Sequence, residues 1–144
     1  TLFGANDVEI RDHGLCQDFP FNNLGPILRS RVESVLESHD VFLDFSDFQA
    51  FGLTGLEAMA RGCVVVMPTT GGAGEFVANG ESGFLVDTSD HHACVRVARE
   101  AIKYARTGSS AIPRHAQEVA RRFSSSAAAL ELERAIEIAR ETKG

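Results

Sequence analysis

Two short apolar runs frame the most informative part of the chain. Val41-Phe42-Leu43 and Val64-Val65-Val66 are unbroken and rich in β-branched and aromatic residues, so each predicts a buried strand. A polar loop, Asp44 to Ala50, follows the first run. Phe51-Gly52-Leu53-Thr54 then opens a helix that continues through Leu56-Glu57-Ala58-Met59-Ala60 and stops at Gly62. The second run leads into Pro68-Thr69-Thr70-Gly71-Gly72. The pattern is a strand, a loop, a helix, a strand and a Gly-rich loop, an α/β unit. Ligands of open parallel sheets sit where strand C-termini meet helix N-termini. Both loops leave such strand ends and are expected to face one crevice.

The pattern on either side is less regular. Leu2-Phe3 and Val8-Glu9-Ile10 each read as a strand, with Asn6-Asp7 as a turn between them. The span from Asp12 to Pro20 is polar and irregular. Asn22 or Asn23 is expected to cap a helix with Pro26 near its first turn, its apolar face being Ile27, Leu28, Val32, Val35 and Leu36. After Gly72, Gly74 to Val77 reads as a turn or a single helical turn. Asn79-Gly80 and Ser82-Gly83 are turn signals ahead of a strand, Phe84-Leu85-Val86. Ser89 or Asp90 caps the next helix, with Ala93, Val97, Ala101, Ile102 and Ala105 facing inward. A helix from about Ile112 to Arg122 follows. Ser124 to Ser126 cap a last helix ending near Glu141, with Ala128, Leu132, Ala135, Ile136 and Ala139 as its stripe. Four helices alternating with three or four short strands favour a small parallel sheet with helices on both faces.

The totals narrow the classes. A length of 144 residues predicts one domain, spanning 1–144. A net charge of −6 gives nucleic-acid binding no electrostatic support. No run approaches the ~20 apolar residues of a membrane span, and none reads as a signal peptide. Cys16, Cys63 and Cys94 are far apart and lack ligand spacing; Cys63 and Cys94 sit in apolar patterns and read as small buried residues, and a reducing compartment fits. The chain opens on Thr1-Leu2-Phe3-Gly4, as if in mid-strand, which leads to the expectation of a piece of a longer protein.

Candidate chemistry gathers in the central unit. The helix opening at Gly52 offers unpaired N–H groups and a positive dipole end, and Thr54 adds a hydroxyl. That suits a phosphate or diphosphate, while a plain capping role for Gly52 and Thr54 stays open. Glu57 falls one turn after Leu53, beside a face marked by Leu53, Leu56 and Ala60. A half-buried carboxylate there needs donors, either ligand hydroxyls or protein N–H groups. Gln49, in the loop, both donates and accepts, which suits a hydroxylated ligand. Gly71-Gly72 either exposes N–H groups across the crevice or simply turns the chain. Asp44 and Asp47 do not form the close pair of a metal-held diphosphate. His13, His39, His91, His92 and His115 are scattered in polar contexts. Gly71-Gly72-Ala73-Gly74 is not the GxGxxG of a dinucleotide fold.

Taken together, Asp40-Val41-Phe42, Ser46, Phe51-Gly52-Leu53, Leu56-Glu57-Ala58-Met59-Ala60 and Gly62 resemble the donor-site segment of retaining glycosyltransferases of family 4. The likeness continues through Gly71-Gly72, Glu75, Asn79-Gly80, Gly83 and Phe84-Leu85-Val86. The resemblance implies an α/β, Rossmann-like three-layer α/β/α arrangement with a small parallel sheet, one half of a GT-B fold. It also implies roles. Glu57 matches the family's ribose-binding glutamate. Gln49 stands where the family has a second glutamate on the donor sugar, a departure that removes a negative charge. Phe51, Gly52, Leu53 and Thr54 match the diphosphate-binding helix opening, and Gly71 and Gly72 lie near the sugar.

By the same resemblance, the chain is the donor-binding part of an enzyme that transfers a hexosyl or deoxyhexosyl group from a nucleotide sugar with retention. Gln49 and Glu57 are the implied catalytic pair. No metal or other cofactor is implied. The acceptor, a carbohydrate or a lipid-linked one, would be held by a domain upstream, toward which the last helix would pack. The family's diphosphate-binding Arg and Lys also lie upstream. The isolated domain is expected to be inactive. The implied location is the cytoplasm, with peripheral attachment to the inner membrane face as a variant. Two rivals share the fold: a nucleotide-sugar-binding module without catalysis, favoured by Gln49, and an epimerase of GT-B type.

Overall fold

A computed structural model describes residues 1–12 and 20–142. His13, Cys16 and nearly all of the polar span before Pro20 lie outside the described residues. The chain gathers into two compact units, Thr1–Val35 and the remainder from Leu36.

In the first unit, Leu2 pairs in parallel with Asn23. Its N–H donates to the Asn22 carbonyl at 2.7 Å, and its own carbonyl accepts from Leu24 N at 2.9 Å. Val8-Glu9-Ile10 is not a strand. It lies in α1 (Asp7–Asp12). Asn6 is the reason: its Oδ1 accepts from the N–H groups of Val8 and Glu9, and the Glu9 carboxylate reaches back to Asn6 N at 2.7 Å. That is a reciprocal capping box, which settles two orphan amides of the first turn. Asn23 does not cap a helix either. Its Oδ1 accepts from Gly25 N, Gly25 takes φ +64°, and α2 (Arg29–Glu37) begins only at Arg29. Ile27 and Leu28 therefore precede α2, and Leu28 is exposed.

The second unit holds a three-stranded parallel sheet in the order β1 (Val41–Leu43), β2 (Val64–Pro68), β3 (Phe84–Val86). Val41 is paired with Val64, and Val66 with Phe84. α3 (Leu53–Ala60) joins β1 to β2, and a 3-10 turn (Gly72–Glu75) lies between β2 and β3. α4 (His91–Arg106), α5 (Ala111–Arg122) and α6 (Ser125–Glu141) follow. The central strand is buried along its whole length, as a strand covered on both faces must be. Its residues serve the two faces in turn. Val64 and Val66 cluster with Phe84, Val86 and, from α4, Cys94 and Ala101. Met67 lies beneath Gly52 and Gly55 at the start of α3. This is the expected three-layer α/β/α arrangement with a small parallel sheet.

Asp90 caps α4, accepting from Ala93 N at 2.9 Å, and Ser124 caps α6 through Ala127 N. Cys94, not Ile102, faces inward on α4; Ile102 is 40% exposed. α6 buries none of its residues, and Leu130, Leu132, Ile136 and Ile138 are all exposed.

Cys63 lies against the sheet's lower end, where its thiol donates toward the carbonyls of Leu36 and His39. Burial first, and the Asp40 charge second, push this thiol up to about 11. The unfolded thiol ionises near 9, the folded one near 11. The unfolded state therefore loses its proton first, and stability falls as pH rises across that interval. Urea titrations at pH 8 and pH 10.5 should show the loss, and Cys63→Ala should reduce it.

Candidate functional site

The backbones of the two loops expected to face one crevice are sewn together. β1 runs on into its loop through Asp44 N, which donates to the Val66 carbonyl at 2.9 Å. Beyond the sheet proper, Gln49 forms a parallel bridge with Gly71. Gln49 N donates to the Thr70 carbonyl at 3.3 Å, and Gly72 N donates to the Gln49 carbonyl at 2.9 Å. The two loops therefore meet, as the shared strand ends predict. The contact also explains the glycine pair. Gly71 has φ +115°, and a Cβ on it would fall on the Gln49 carbonyl. A Cβ on Gly72 would come within 2.5 Å of the Ala50 carbonyl oxygen. The amide of Gly72 is thus committed to the neighbouring loop and is not on offer to a ligand.

α3 opens at this junction. Gly52 precedes it in the left-handed region (φ +87°, ψ +43°), and no side chain caps the helix. Gly52 is needed for two reasons. Other residues rarely take that φ, and a Cβ would stand 2.8 Å from Met67 Cε and 3.4 Å from the Phe76 ring. The amides of the first helical turn have no acceptor within α3, since the first internal bond runs from Leu56 N to the Gly52 carbonyl. They and the aligned peptide dipoles make this end of α3 electropositive, equivalent to about half a positive charge.

The faces of α3 differ from the sequence reading. Its buried side is Gly55, Leu56, Ala58 and Met59. Leu53 is 49% exposed, and Ala60 is exposed as well. Glu57 lies one turn after Leu53 and is half-buried, as is Thr54. Leu53, Thr54 and Glu57 thus form the rim of the helix start, with charge and hydroxyl at its margin.

Inside the first loop, Asp44 Oδ1 accepts from Ser46 N at 3.0 Å and from Ser46 Oγ at 2.6 Å. Gln49 Nε2 donates to the same Ser46 Oγ at 3.1 Å. Asp44 and Ser46, to which the spacing argument assigned no role, are therefore tied to Gln49. On the far side of Gly52, Phe51, Phe76 and Phe123 form a ring cluster. The centroid distances are 5.3 Å for Phe51 to Phe76 and 6.0 Å for each to Phe123. Such pairs contribute about 0.5–1.5 kcal/mol each. They fix the chain just ahead of α3 from two distant segments. Nothing in the residue pattern marks Phe123 as a partner of Phe51.

Comparison with known proteins gives a consistent picture. The family described as glycosyl transferases group 1 matches residues 21–133. A sucrose synthase of Acidithiobacillus caldus is 39% identical over 77 residues, covering 49% of this chain and 10% of that protein. A D-inositol 3-phosphate glycosyltransferase of Paenarthrobacter aurescens is 34% identical over 96 residues, 64% of this chain and 22% of that one. Among solved structures, a sucrose-phosphate synthase from Thermosynechococcus elongatus superposes with a TM-score of 0.83 at 22% identity, over 97% of this chain and 38% of that one. HepE of Anabaena, solved in complex with UDP-glucose, superposes at 0.74 with 23% identity, over 90% of this chain and 35% of that one. The chain thus spans well under half the length of the relatives it matches.

Proposed function

The chain belongs to the group 1 glycosyl transferases, and from that premise we propose that it is the donor-binding half of a retaining GT-B enzyme using a nucleoside diphosphate sugar. In this reading the diphosphate sits on the open amides at Leu53 and Thr54, beside Phe51 and Gly52. Negative charge at a helix N-terminus is stabilised there. Glu57, one turn on, accepts from the ribose hydroxyls. Gln49, with Gly71 and Gly72 beside it, faces the sugar. The observation that carries the reading is the juxtaposition of an uncapped helix start with a half-buried carboxylate on its rim. A UDP-glucose complex of the similarly folded HepE supplies the choice of probe.

Chemically, departure of the diphosphate is helped by fixed amide dipoles that need no reorganisation as charge develops. The proposal includes a hexosyl donor and no metal; activity undiminished by EDTA would accord with that. The acceptor, and any attachment to the membrane face, fall to the rest of the protein. Among the described residues, no helix is long and apolar enough to cross a membrane.

Calorimetry of the chain with UDP tests the reading. Binding is expected, and Glu57→Ala should weaken it about 10- to 100-fold, the loss of a hydrogen-bonded charge. Unchanged affinity in that variant would remove Glu57 from the site. The amide at position 49 favours a second reading, a module that binds donor without transfer. Release of free UDP from UDP-glucose by the protein containing this chain separates the two.

A further inference from the structure

We propose that Asp44, Ser46 and Gln49 form one relay that orients the Gln49 amide and presents its Oε1 as a fixed acceptor to a hydroxyl of the donor sugar, with Asp44 carrying the negative charge. This rests on the donor-site reading above and extends it to two positioning residues.

A serine hydroxyl has one proton to give. Ser46 gives it to Asp44, at 2.6 Å, a length typical of a charge-assisted O–H···O bond. Ser46 Oγ can then only accept from a third group. Gln49 stands 3.1 Å away, so the side of its amide facing Ser46 must be the nitrogen. The network itself assigns the amide. Gln49 Nε2 is thereby engaged, and Oε1 is left as the acceptor; among the described residues nothing donates to it. The backbone of Gln49 is held on both sides, by Thr70 and Gly72. Asp44, Ser46 and Gln49 are all half-buried, so water competes only in part for these bonds.

The relay also accounts for an amide where the resemblance gives a carboxylate. A glutamate side chain at position 49 would set a lone pair against a Ser46 oxygen whose proton is already held by Asp44. Two carboxylates would then compete for a single hydroxyl proton, and like charges at this range repel. In this chain the charge stands at 44 and the amide at 49.

The consequence is counterintuitive and separable from the parent reading. Calorimetry with UDP reports the helix start and Glu57. The additional affinity for UDP-glucose over UDP reports Gln49. Gln49→Glu, the change toward the family residue, should weaken UDP-glucose about tenfold and leave UDP unchanged. Asp44→Asn combined with Gln49→Glu should recover UDP-glucose binding to within about threefold of the original. A neutral asparagine keeps an oxygen for the Ser46 backbone N–H but holds the hydroxyl proton less firmly than a carboxylate and removes the second negative charge, so the new carboxylate at position 49 can take that proton. Ser46→Ala, which cuts the relay at its centre, should also lower UDP-glucose affinity alone. UDP binding in each variant doubles as the check that it has folded. The relay is overturned if Gln49→Glu binds UDP-glucose as well as or better than the original, or if the double variant is no better than the single one. If the unaltered chain binds neither UDP nor UDP-glucose, the donor-site reading itself falls.

Discussion

Gly71→Ala is expected to abolish UDP-glucose binding and to cost about 3 kcal/mol or more of stability. Two independent penalties act at this residue. Its backbone, φ +115° and ψ −155°, lies in a region that is essentially glycine's alone, and holding an alanine there costs about 1–3 kcal/mol. The added Cβ would also land on the Gln49 carbonyl, with Gln49 C at 2.7 Å and Gln49 N at 3.1 Å. These are backbone atoms, so no rotamer change relieves the overlap. Relief requires the two loops to part, which breaks the bonds from Gln49 N to the Thr70 carbonyl and from Gly72 N to the Gln49 carbonyl. Gln49 then moves, and the residues that lead into α3 move with it. Gly74→Ala is the matched control: a Cβ there meets nothing within 4 Å, and its φ is not positive. It should be close to neutral in both thermal unfolding and calorimetry. A Gly71→Ala protein that binds UDP-glucose normally would show that the sewn loops are irrelevant to the site.

The same pair of loops shows what a residue pattern conveys and what it omits. Val41-Phe42-Leu43 and Val64-Val65-Val66 both form strands, but only the central one is buried throughout; β1 lies at the sheet edge, with Val41 and Phe42 half-buried and Leu43 exposed, and the shared strand ends bring the two following loops together. Asp90 and Ser124 cap helices that the apolar spacing already delimits. Asn6 was legible only as a turn, because the residues that make a turn also make a capping box, and Val8 and Ile10 fit a two-residue period as well as a helical one. Leu53 reads as buried on spacing alone, yet it is 49% exposed, because the side of α3 that meets β2 is the one carrying Gly55. The relay from Asp44 through Ser46 depends on which way three side chains turn, and periodicity carries no such information. Phe123 reaches Phe51 only through the packing of α5, a contact remote in sequence.

The second large effect is expected at Gly55. Gly55→Val should destabilise the protein by about 3 kcal/mol, the upper part of the usual overpacking range, and lower its melting temperature by roughly 6–12 °C. Propensity argues the other way: a glycine inside a helix is worse than almost any replacement, by up to ~1 kcal/mol. Packing decides the sign. Gly55 rests directly on Met67 of β2, whose Cε would lie 2.5 Å from a new Cβ and whose sulfur would be closer still. Met67 is fully buried and also fills the space under Gly52, 2.8 Å from a Cβ there, so it has nowhere to retreat. A branched side chain at 55 must lift the first turn of α3 off the sheet. The turn that lifts is the one offering its amides to the diphosphate, so UDP affinity should fall together with stability. Shortening the obstruction provides the decisive comparison. Gly55→Val with Met67→Ala should be more stable than Gly55→Val alone, although Met67→Ala by itself opens a cavity and typically costs about 2–5 kcal/mol. Purely additive losses in thermal unfolding would mean that Met67 does not set the height of α3 above the sheet.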